Sequence, residues 1–206
     1  MIKSKRILIV GLIIFLLEGV NAYTQEPTLL GQGTPSVYKV TLKKFRVYNG
    51  TTWITLKEQD TTFDIASAQS AGQIVGNFFT GTIIPGTYSQ VEITPSASFT
   101  MKGYVTCNGT TYYTSTTASN GTNSTADFDI NNPPSDYGEA KVTTPGYSED
   151  QAMSPEQKNV NVVIKKGVTQ TIKILFNVKN KLGLYEVGGG EKRLLPLPPI
   201  VTVNVQ

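Results

Sequence analysis

The sequence of 206 residues contains no histidine and only one cysteine, Cys107. Without histidine the chain cannot form a Ser-His-Asp or Cys-His catalytic group, or a His-ligated zinc, copper or haem site. A single cysteine cannot close an internal disulfide, which excludes a disulfide scaffold. Charged residues make up 16% of the chain, against roughly 25% in globular domains. We therefore expect no enzyme, no metal site and no other cofactor.

The composition is instead dominated by residues that are typical of β-structure. The chain has 27 threonines, 13 serines and 10 tyrosines, together with 19 glycines and 11 prolines. Threonine, tyrosine and the β-branched aliphatic residues are enriched in strands, and glycine and proline mark the turns between strands. The sequence therefore predicts an all-β protein.

Residues 1–22 have the pattern of an export signal. Basic residues at positions 3, 5 and 6 precede an apolar run of 11 residues, and small residues follow up to Ala22. As a helix this run would rise only about 16 Å, which is too short for a bilayer core of roughly 30 Å. We expect cleavage after Ala22, no membrane anchor in the mature chain, and an extracellular or cell-surface location.

Removal of the signal also removes most of the excess positive charge. Lysine plus arginine falls from 18 to 15, and aspartate plus glutamate falls from 15 to 14. No basic patch interleaved with aromatic residues remains, so nucleic acid is not an expected partner.

Alternating apolar residues predict a β-sandwich over residues 37–206, preceded by a short extended tail of residues 23–36. The alternation changes phase between Leu42 and Phe45, which predicts a bulge near Lys43-Lys44. Apolar residues at every odd position from 195 to 205 predict a C-terminal strand. Hairpins are predicted at three turn pairs, Asn49-Gly50, Asn108-Gly109 and Lys166-Gly167. This pattern is typical of an immunoglobulin-like or prealbumin-like sandwich.

Two stretches interrupt the strand pattern. Residues 63–75 have a spacing that would suit a short helix. Residues 131–158 carry four prolines and few large aliphatic side chains, which predicts a long irregular loop.

Four N-glycosylation sequons occur in the predicted exported chain. Two coincide with predicted hairpin tips and two lie in the polar stretch 115–125, where an exposed asparagine amide beside a hydroxyl is expected. The asparagines are Asn49, Asn108, Asn120 and Asn123. We expect N-linked glycans at these positions.

Two other motifs each have a functional and a purely structural interpretation. The spacing of Asp127, Asp129 and Asn131 matches the start of a calcium loop, but the turn glycine and the final glutamate of that motif are missing. An alternating strand with Phe128 inward is the favoured interpretation. Trp53 and the tyrosines could form a sugar-binding platform, although aromatic residues in sandwiches more often pack within the fold.

The N-terminal tail has the features of a strand that is donated to a neighbouring subunit. It precedes the first predicted strand and places Pro27, Thr28, Leu29 and Leu30 where an extended segment could enter a sheet. The C-terminal strand alternates more regularly, but it fits equally well as the last strand of its own sandwich. We favour the N-terminal tail as the donor, and identical subunits as its partners.

The signal, the short polar tail, the Asn-Gly-Thr turns and the low charge together resemble the thread-type extracellular filament subunits of archaea. That resemblance implies N-glycosylated subunits joined head to tail by donor-strand complementation. A second resemblance is local: the Pro-Gly-Thr-Tyr sequence at residues 85–88 is similar to surface modules of the prealbumin-like kind. We therefore expect a filament subunit for adhesion or cell–cell contact. The alternative is a monomeric secreted carbohydrate-binding or adhesin module.

Overall fold

The structure is a computed structural model that describes residues 27–67, 83–144, 146–166 and 172–205. The predicted signal peptide lies outside the described residues, as does the predicted helix of residues 63–75 from residue 68 onward. Within the described ranges the chain forms thirteen strands. They are β1 (Thr28–Gly33), β2 (Val37–Tyr48), β3 (Trp53–Asp64), β4 (Gly86–Lys102), β5 (Tyr104–Cys107), β6 (Thr110–Thr114), β7 (Thr122–Thr125), β8 (Ala140–Thr143), β9 (Glu156–Ile164), β10 (Ile172–Asn177), β11 (Leu182–Val187), β12 (Glu191–Pro196) and β13 (Ile200–Val205).

The largest sheet, here called the main sheet, is antiparallel and has the order β3-β2-β4. Strands β8 and β9 lie one after the other along the free side of β4. The register of β2 shifts between Leu42 and Lys44 against both of its neighbours. This shift confirms the predicted bulge. Before it the even-numbered side chains of β2 are buried, and after it the odd-numbered ones are, because the extra residue reverses the alternation along the strand.

The opposing layer is built on a bent two-stranded ribbon, to which β1 adds a third strand beside β11. Strands β11 and β12 pair around a turn at Gly188–Gly190, and β10 pairs with β13. The two halves join where the backbone N–H of Leu197 donates to the carbonyl of Lys181 at 2.9 Å. The predicted C-terminal strand is therefore broken at residues 197–199, which include two prolines that have no N–H to donate. In β12 the buried residues are Leu194 and Pro196, so the odd-position prediction is wrong there.

The third hairpin prediction, at Lys166-Gly167, is also wrong. Strand β9 pairs with β4 of the main sheet, whereas β10 pairs with β13 of the ribbon. The local turn signal cannot determine which strand pairs with which, because that choice depends on burial in the whole domain. The loop predicted over residues 131–158 is interrupted by β8 and by the start of β9, so that prediction is only partly correct.

The sandwich core consists of two clusters of buried side chains. The first joins the main sheet to the ribbon and includes Tyr38, Val40, Leu182, Leu184 and Leu194. The second lies farther along β2, beyond the bulge, and consists of Phe45, Val47, Tyr88, Val91 and Val162. The packing of antiparallel sheets against each other confirms the predicted all-β sandwich.

A small sheet of order β5-β6-β7 extends the fold beside the ribbon. Its contact to β12 includes a hydrogen bond of 2.8 Å from the backbone N–H of Leu194 to Oγ1 of Thr122. Oγ1 of the buried Thr114 accepts from the N–H of Gly103 at 3.0 Å and donates to the carbonyl of Gly138 at 2.8 Å. In this part of the chain, threonine hydroxyl groups therefore connect separate backbone segments.

Candidate assembly site and sequons

Strand β1 contains most of the predicted donor residues and lies in the sheet of its own chain. It pairs antiparallel with β11, from Thr28 opposite Glu186 to Gly33 opposite Leu182, and Pro27 lies directly before it. The register shifts between Leu29 and Gly31. The structure therefore places part of the predicted tail inside the sandwich, as the strand next to β11.

On its other side β1 runs close to β5. A Cβ atom added to Gly33 would lie 2.2 Å from the carbonyl oxygen of Tyr104, and one added to Gly31 would lie 3.1 Å from a methyl group of Val105. Sγ of Cys107 is 3.6 Å from the carbonyl oxygen of Leu30. Strand β1 thus occupies a slot between β11 and β5, here called the β1 slot, which leaves no room for a side chain at Gly33.

The two leucines of β1 have different surroundings. Leu30 is partly buried and packs against the first core cluster, whereas Leu29 is 42% exposed. The walls of the slot include Leu184 and Val105, which are 0% and 1% exposed. Removal of β1 would expose these apolar walls and the unpaired backbone edge of β11, a combination that favours association with another strand.

Three residues connect β1 to β2. The side chain of Thr34 accepts a hydrogen bond of 3.0 Å from the N–H of Asn180, and the N–H of Ser36 donates to the carbonyl of Lys102 at 2.7 Å. Pro35 between them is buried. The connection is short, and short connections of this kind favour exchange of a terminal element between copies.

The first two sequons lie at the predicted hairpin tips. Asn49 follows β2 and is exposed, and the positive φ of 91° at Gly50 closes the turn to β3. Asn108 and Gly109 form a two-residue turn with φ of 51° and 77°. Both hairpins are confirmed by the antiparallel pairing of their flanking strands. The two turns differ: Asn108 and Gly109 both have the positive φ expected of an Asn-Gly pair, whereas at the first tip only Gly50 has it, within a connection of four residues from Tyr48 to Trp53.

The other two sequons lie where a strand was not predicted. Asn120 is in the turn before β7, and Asn123 is within β7, which pairs with β6. Both side chains are only partly exposed. The polar stretch of residues 115–125 is thus partly a strand of the small sheet.

Sequence reasoning missed a carboxylate that gathers side chains around Asn123. Asp136 accepts hydrogen bonds from Ser115 at 2.7 Å, Tyr113 at 3.1 Å and Thr117 at 3.3 Å, and also one from Nδ2 of Asn123. These bonds, first of all the one from Ser115, hold the pKa of Asp136 below its usual value. Burial, followed by the contact with Asp136, raises the pKa of Tyr113. No sequence motif marks this cluster.

The calcium-like stretch forms a turn rather than a strand. Oδ1 of Asp129 accepts from the N–H of Asn131 at 2.9 Å, which forms a local turn. Phe128 stacks on Tyr113 at 5.4 Å, and Ile130 is 49% exposed. Among the described residues, no group of three or more Cys, Asp or Glu side chains is arranged to hold a metal ion. The prediction of an alternating strand here is wrong.

The aromatic platform around Trp53 is partly covered. The guanidinium of Arg46 lies over the indole ring at 5.2 Å, and the Tyr48 ring is tilted against it at the same distance. One face of the ring therefore already has a cation on it, which leaves less surface for a sugar to stack on.

Comparison with known proteins gives no family and no relative. No protein-family model, curated protein or solved structure matches the chain. In the part of the chain that the structure describes, no helix is long and apolar enough to span a membrane.

Proposed function

We propose that this chain is a structural, non-enzymatic subunit of an extracellular cell-surface filament used for adhesion or cell–cell contact. In the filament, β1 of one copy would occupy the β1 slot of the next copy, so that subunits join head to tail. The observation that carries the proposal is the position of β1, which is hydrogen-bonded in a single ladder to β11 and packs closely against β5.

The slot has the chemistry required for strand donation. Backbone hydrogen bonds to β11 would supply affinity, and the burial of Leu30 would fix the register. The close approach of the Tyr104 carbonyl admits only glycine at the position of Gly33. A second copy of β1 meets this requirement, whereas a strand with a side chain at that position does not.

Exchange would preserve the contacts of β1 itself. The donated strand makes the same ladder with a neighbour's β11 as it makes with its own, and only the three connecting residues must change direction. The exchange also protects the edge of β11, which would otherwise be open to aggregation. An exported fold without disulfides would gain robustness from strands shared in this way.

Deletion of residues 23–36 tests the proposal directly. The shortened chain has an open β1 slot but no strand to donate, so we expect it to form no filament, as judged by negative-stain microscopy of material sheared from the cell surface. Filaments that persist after the deletion would contradict the proposal. A full-length chain that never forms polymers would favour the monomeric adhesin instead.

An engineered disulfide distinguishes donation from folding back within one chain. A Cβ atom on Gly31 would lie 3.9 Å from Cβ of Cys107, within the roughly 3.5–4.5 Å typical of disulfides. In oxidised polymers of Gly31→Cys, we expect a ladder of covalent oligomers on a non-reducing gel, which collapses to monomer on reduction. Gly31→Ala shows whether a Cβ is tolerated at this position, and Gly31→Cys with Cys107→Ser must give no ladder. A cross-linked monomer alone would contradict strand donation.

A further inference from the structure

The four sequons differ in what the fold does with their side chains. Transfer of an N-glycan joins Nδ2 of asparagine to C1 of the sugar, while the bond from C1 to the phosphate of a lipid-linked oligosaccharide breaks and Nδ2 loses one proton. The reaction therefore needs a free side-chain amide, with an accessible hydroxyl two residues later. The hydrogen bonds of each sequon show whether the folded chain offers these groups.

The amide of Asn123 is fully occupied. Its two N–H groups donate to Oγ of Ser115 at 3.1 Å and to Oδ2 of Asp136. The hydroxyl of Thr125, two residues later, accepts from the N–H of Asp127 at 3.2 Å. A sugar on Nδ2 would remove one of these protons and would need the space that Ser115 and Asp136 fill.

In the sequon of Asn120, both the asparagine amide and the threonine hydroxyl are already engaged in hydrogen bonds. Nδ2 of Asn120 donates to Oε1 of Glu191 at 2.9 Å, and Oδ1 accepts from the N–H of Thr122 at 2.9 Å. Thr122 is only 8% exposed, and its hydroxyl accepts from the N–H of Leu194 at 2.8 Å. Even a freed Asn120 amide would therefore lie beside a buried hydroxyl.

The hairpin-tip sequons are open by comparison. Oδ1 of Asn49 accepts from the N–H groups of Thr51 and Thr52 at 3.0 and 2.8 Å. Only the oxygen of this exposed side chain is therefore engaged, and Nδ2 has no partner among the described residues. Asn108 is exposed in its two-residue turn, and its side chain makes no hydrogen bond within the described part of the chain.

We propose that the folded chain accepts N-linked glycans at Asn49 and Asn108, and that Asn120 and Asn123 are structural amides which the fold withholds from glycosylation. The inference does not depend on strand donation, because it rests on hydrogen bonds within one chain.

The test compares the folded chain with its own peptides. Unglycosylated protein is incubated with an oligosaccharyltransferase and a lipid-linked oligosaccharide, alongside synthetic peptides that span each sequon, and site occupancy is measured by mass spectrometry. We expect Asn49 and Asn108 to be modified in the folded chain and in the peptides alike. For Asn120 and Asn123 we expect occupancy in the folded chain to be at least tenfold lower than in the matching peptide.

Two results would overturn the inference. One is modification of Asn123 in the folded chain to the same extent as in its peptide. The other is a folded chain whose two hairpin tips stay unmodified while their peptides react. A variant separates the two restraints on Asn120: Glu191→Gln weakens the acceptor of the Asn120 amide but leaves Thr122 buried, so Asn120 must remain unmodified. Reaction at Asn120 in that variant would show that its hydroxyl is not withheld.

Discussion

The sandwich and the small sheet are held together by different forces. Between the main sheet and the ribbon, the contacts are made by large apolar side chains such as Leu184 and Val40. In and beside the small sheet, buried hydroxyl groups add hydrogen bonds to the apolar contacts: Thr114 donates to the carbonyl of Gly138, and Ser115 donates to Asp136. A chain rich in hydroxyl groups can extend its fold beyond the main core in this way, provided that each buried polar group finds a partner.

Strand β1 lies at the boundary between these two regions. One neighbour, β11, belongs to the ribbon, and the other, β5, belongs to the small sheet. The β1 slot is therefore built from both regions. Variants that change one region at a time show how much each region contributes to the stability of β1.

The largest effect is expected in the sandwich. Leu184 is 0% exposed and lies on β11, so Leu184→Ala removes buried methyl groups and leaves a cavity. We expect a loss of about 2–5 kcal/mol in the free energy of unfolding, measured by urea denaturation. Leu29→Ala is the matched control on β1: its side chain is 42% exposed, and we expect a loss below about 1 kcal/mol. Equal losses would mean that the leucines do not differ in burial as described.

The next largest effect is expected at the boundary. In Gly33→Ala the new Cβ would meet the Tyr104 carbonyl, which belongs to the backbone and cannot rotate away. We expect a cost of about 1–3 kcal/mol, typical of overpacking, and faster amide hydrogen exchange in β1 and β11. Gly86→Ala is the control, because nothing lies within 4 Å of the added Cβ there. If exchange in β1 does not change, β5 does not confine this strand.

The features that could be predicted from the sequence are local. The turns at Asn49-Gly50 and Asn108-Gly109 follow from residues that tolerate positive φ, and the bulge of β2 follows from a change of phase within one strand. In both cases the neighbouring residues contain the whole signal. The signal at Lys166 failed because the partners of β9 and β10 are chosen by burial in two different layers.

The features that could not be predicted are long-range. Asp136 bonds Ser115, which lies 21 residues earlier in the chain, and no spacing rule links the two. Composition indicates many hydroxyl groups but not their burial: Ser115 is 2% exposed, although the polar composition of residues 115–125 predicts an exposed stretch. The fit of β1 also depends on a close approach at Gly33, which only the fold brings about.

A smaller effect is expected in the small sheet, and it depends on pH. The hydrogen bonds to Asp136 lower the pKa of its carboxyl in the folded state. Their contribution to stability is therefore present above the pKa of the unfolded chain, about 3.9 for aspartate, and is lost as the pH falls through the folded pKa. We expect Asp136→Asn to lose less stability than the unmodified chain between neutral pH and about pH 3, as measured by urea midpoints.

Tyr113→Phe is the matched variant for this comparison. It removes one donor to the Asp136 carboxylate and keeps the aromatic ring, so its acid sensitivity is expected to lie between those of the other two chains. If all three chains respond identically to acid, the carboxylate does not stabilise the small sheet.

The smallest effect is expected for ion pairs on the outer face of the main sheet. Lys43 and Asp60 are 2.8 Å apart, but the Asp60 side chain is 62% exposed. Water and salt screen such a pair, so we expect Lys43→Ala to change the free energy of unfolding by less than about 1 kcal/mol. Arg46 and Glu92 on the same sheet form the contrasting pair at 2.5 Å, with the Glu92 side chain only 2% exposed.

Removal of Arg46 would leave the Glu92 carboxylate buried with Gln157 as its remaining donor. The Arg46 side chain is 28% exposed, so we expect Arg46→Ala to cost about 1–3 kcal/mol, because a buried carboxylate loses one of its donors. We expect this cost to change little with added salt, since the buried carboxylate is poorly screened. Urea denaturation of both variants at low and high salt separates the two cases. If Lys43→Ala proved as costly as Arg46→Ala, exposed charge would contribute to the main sheet as much as buried charge does.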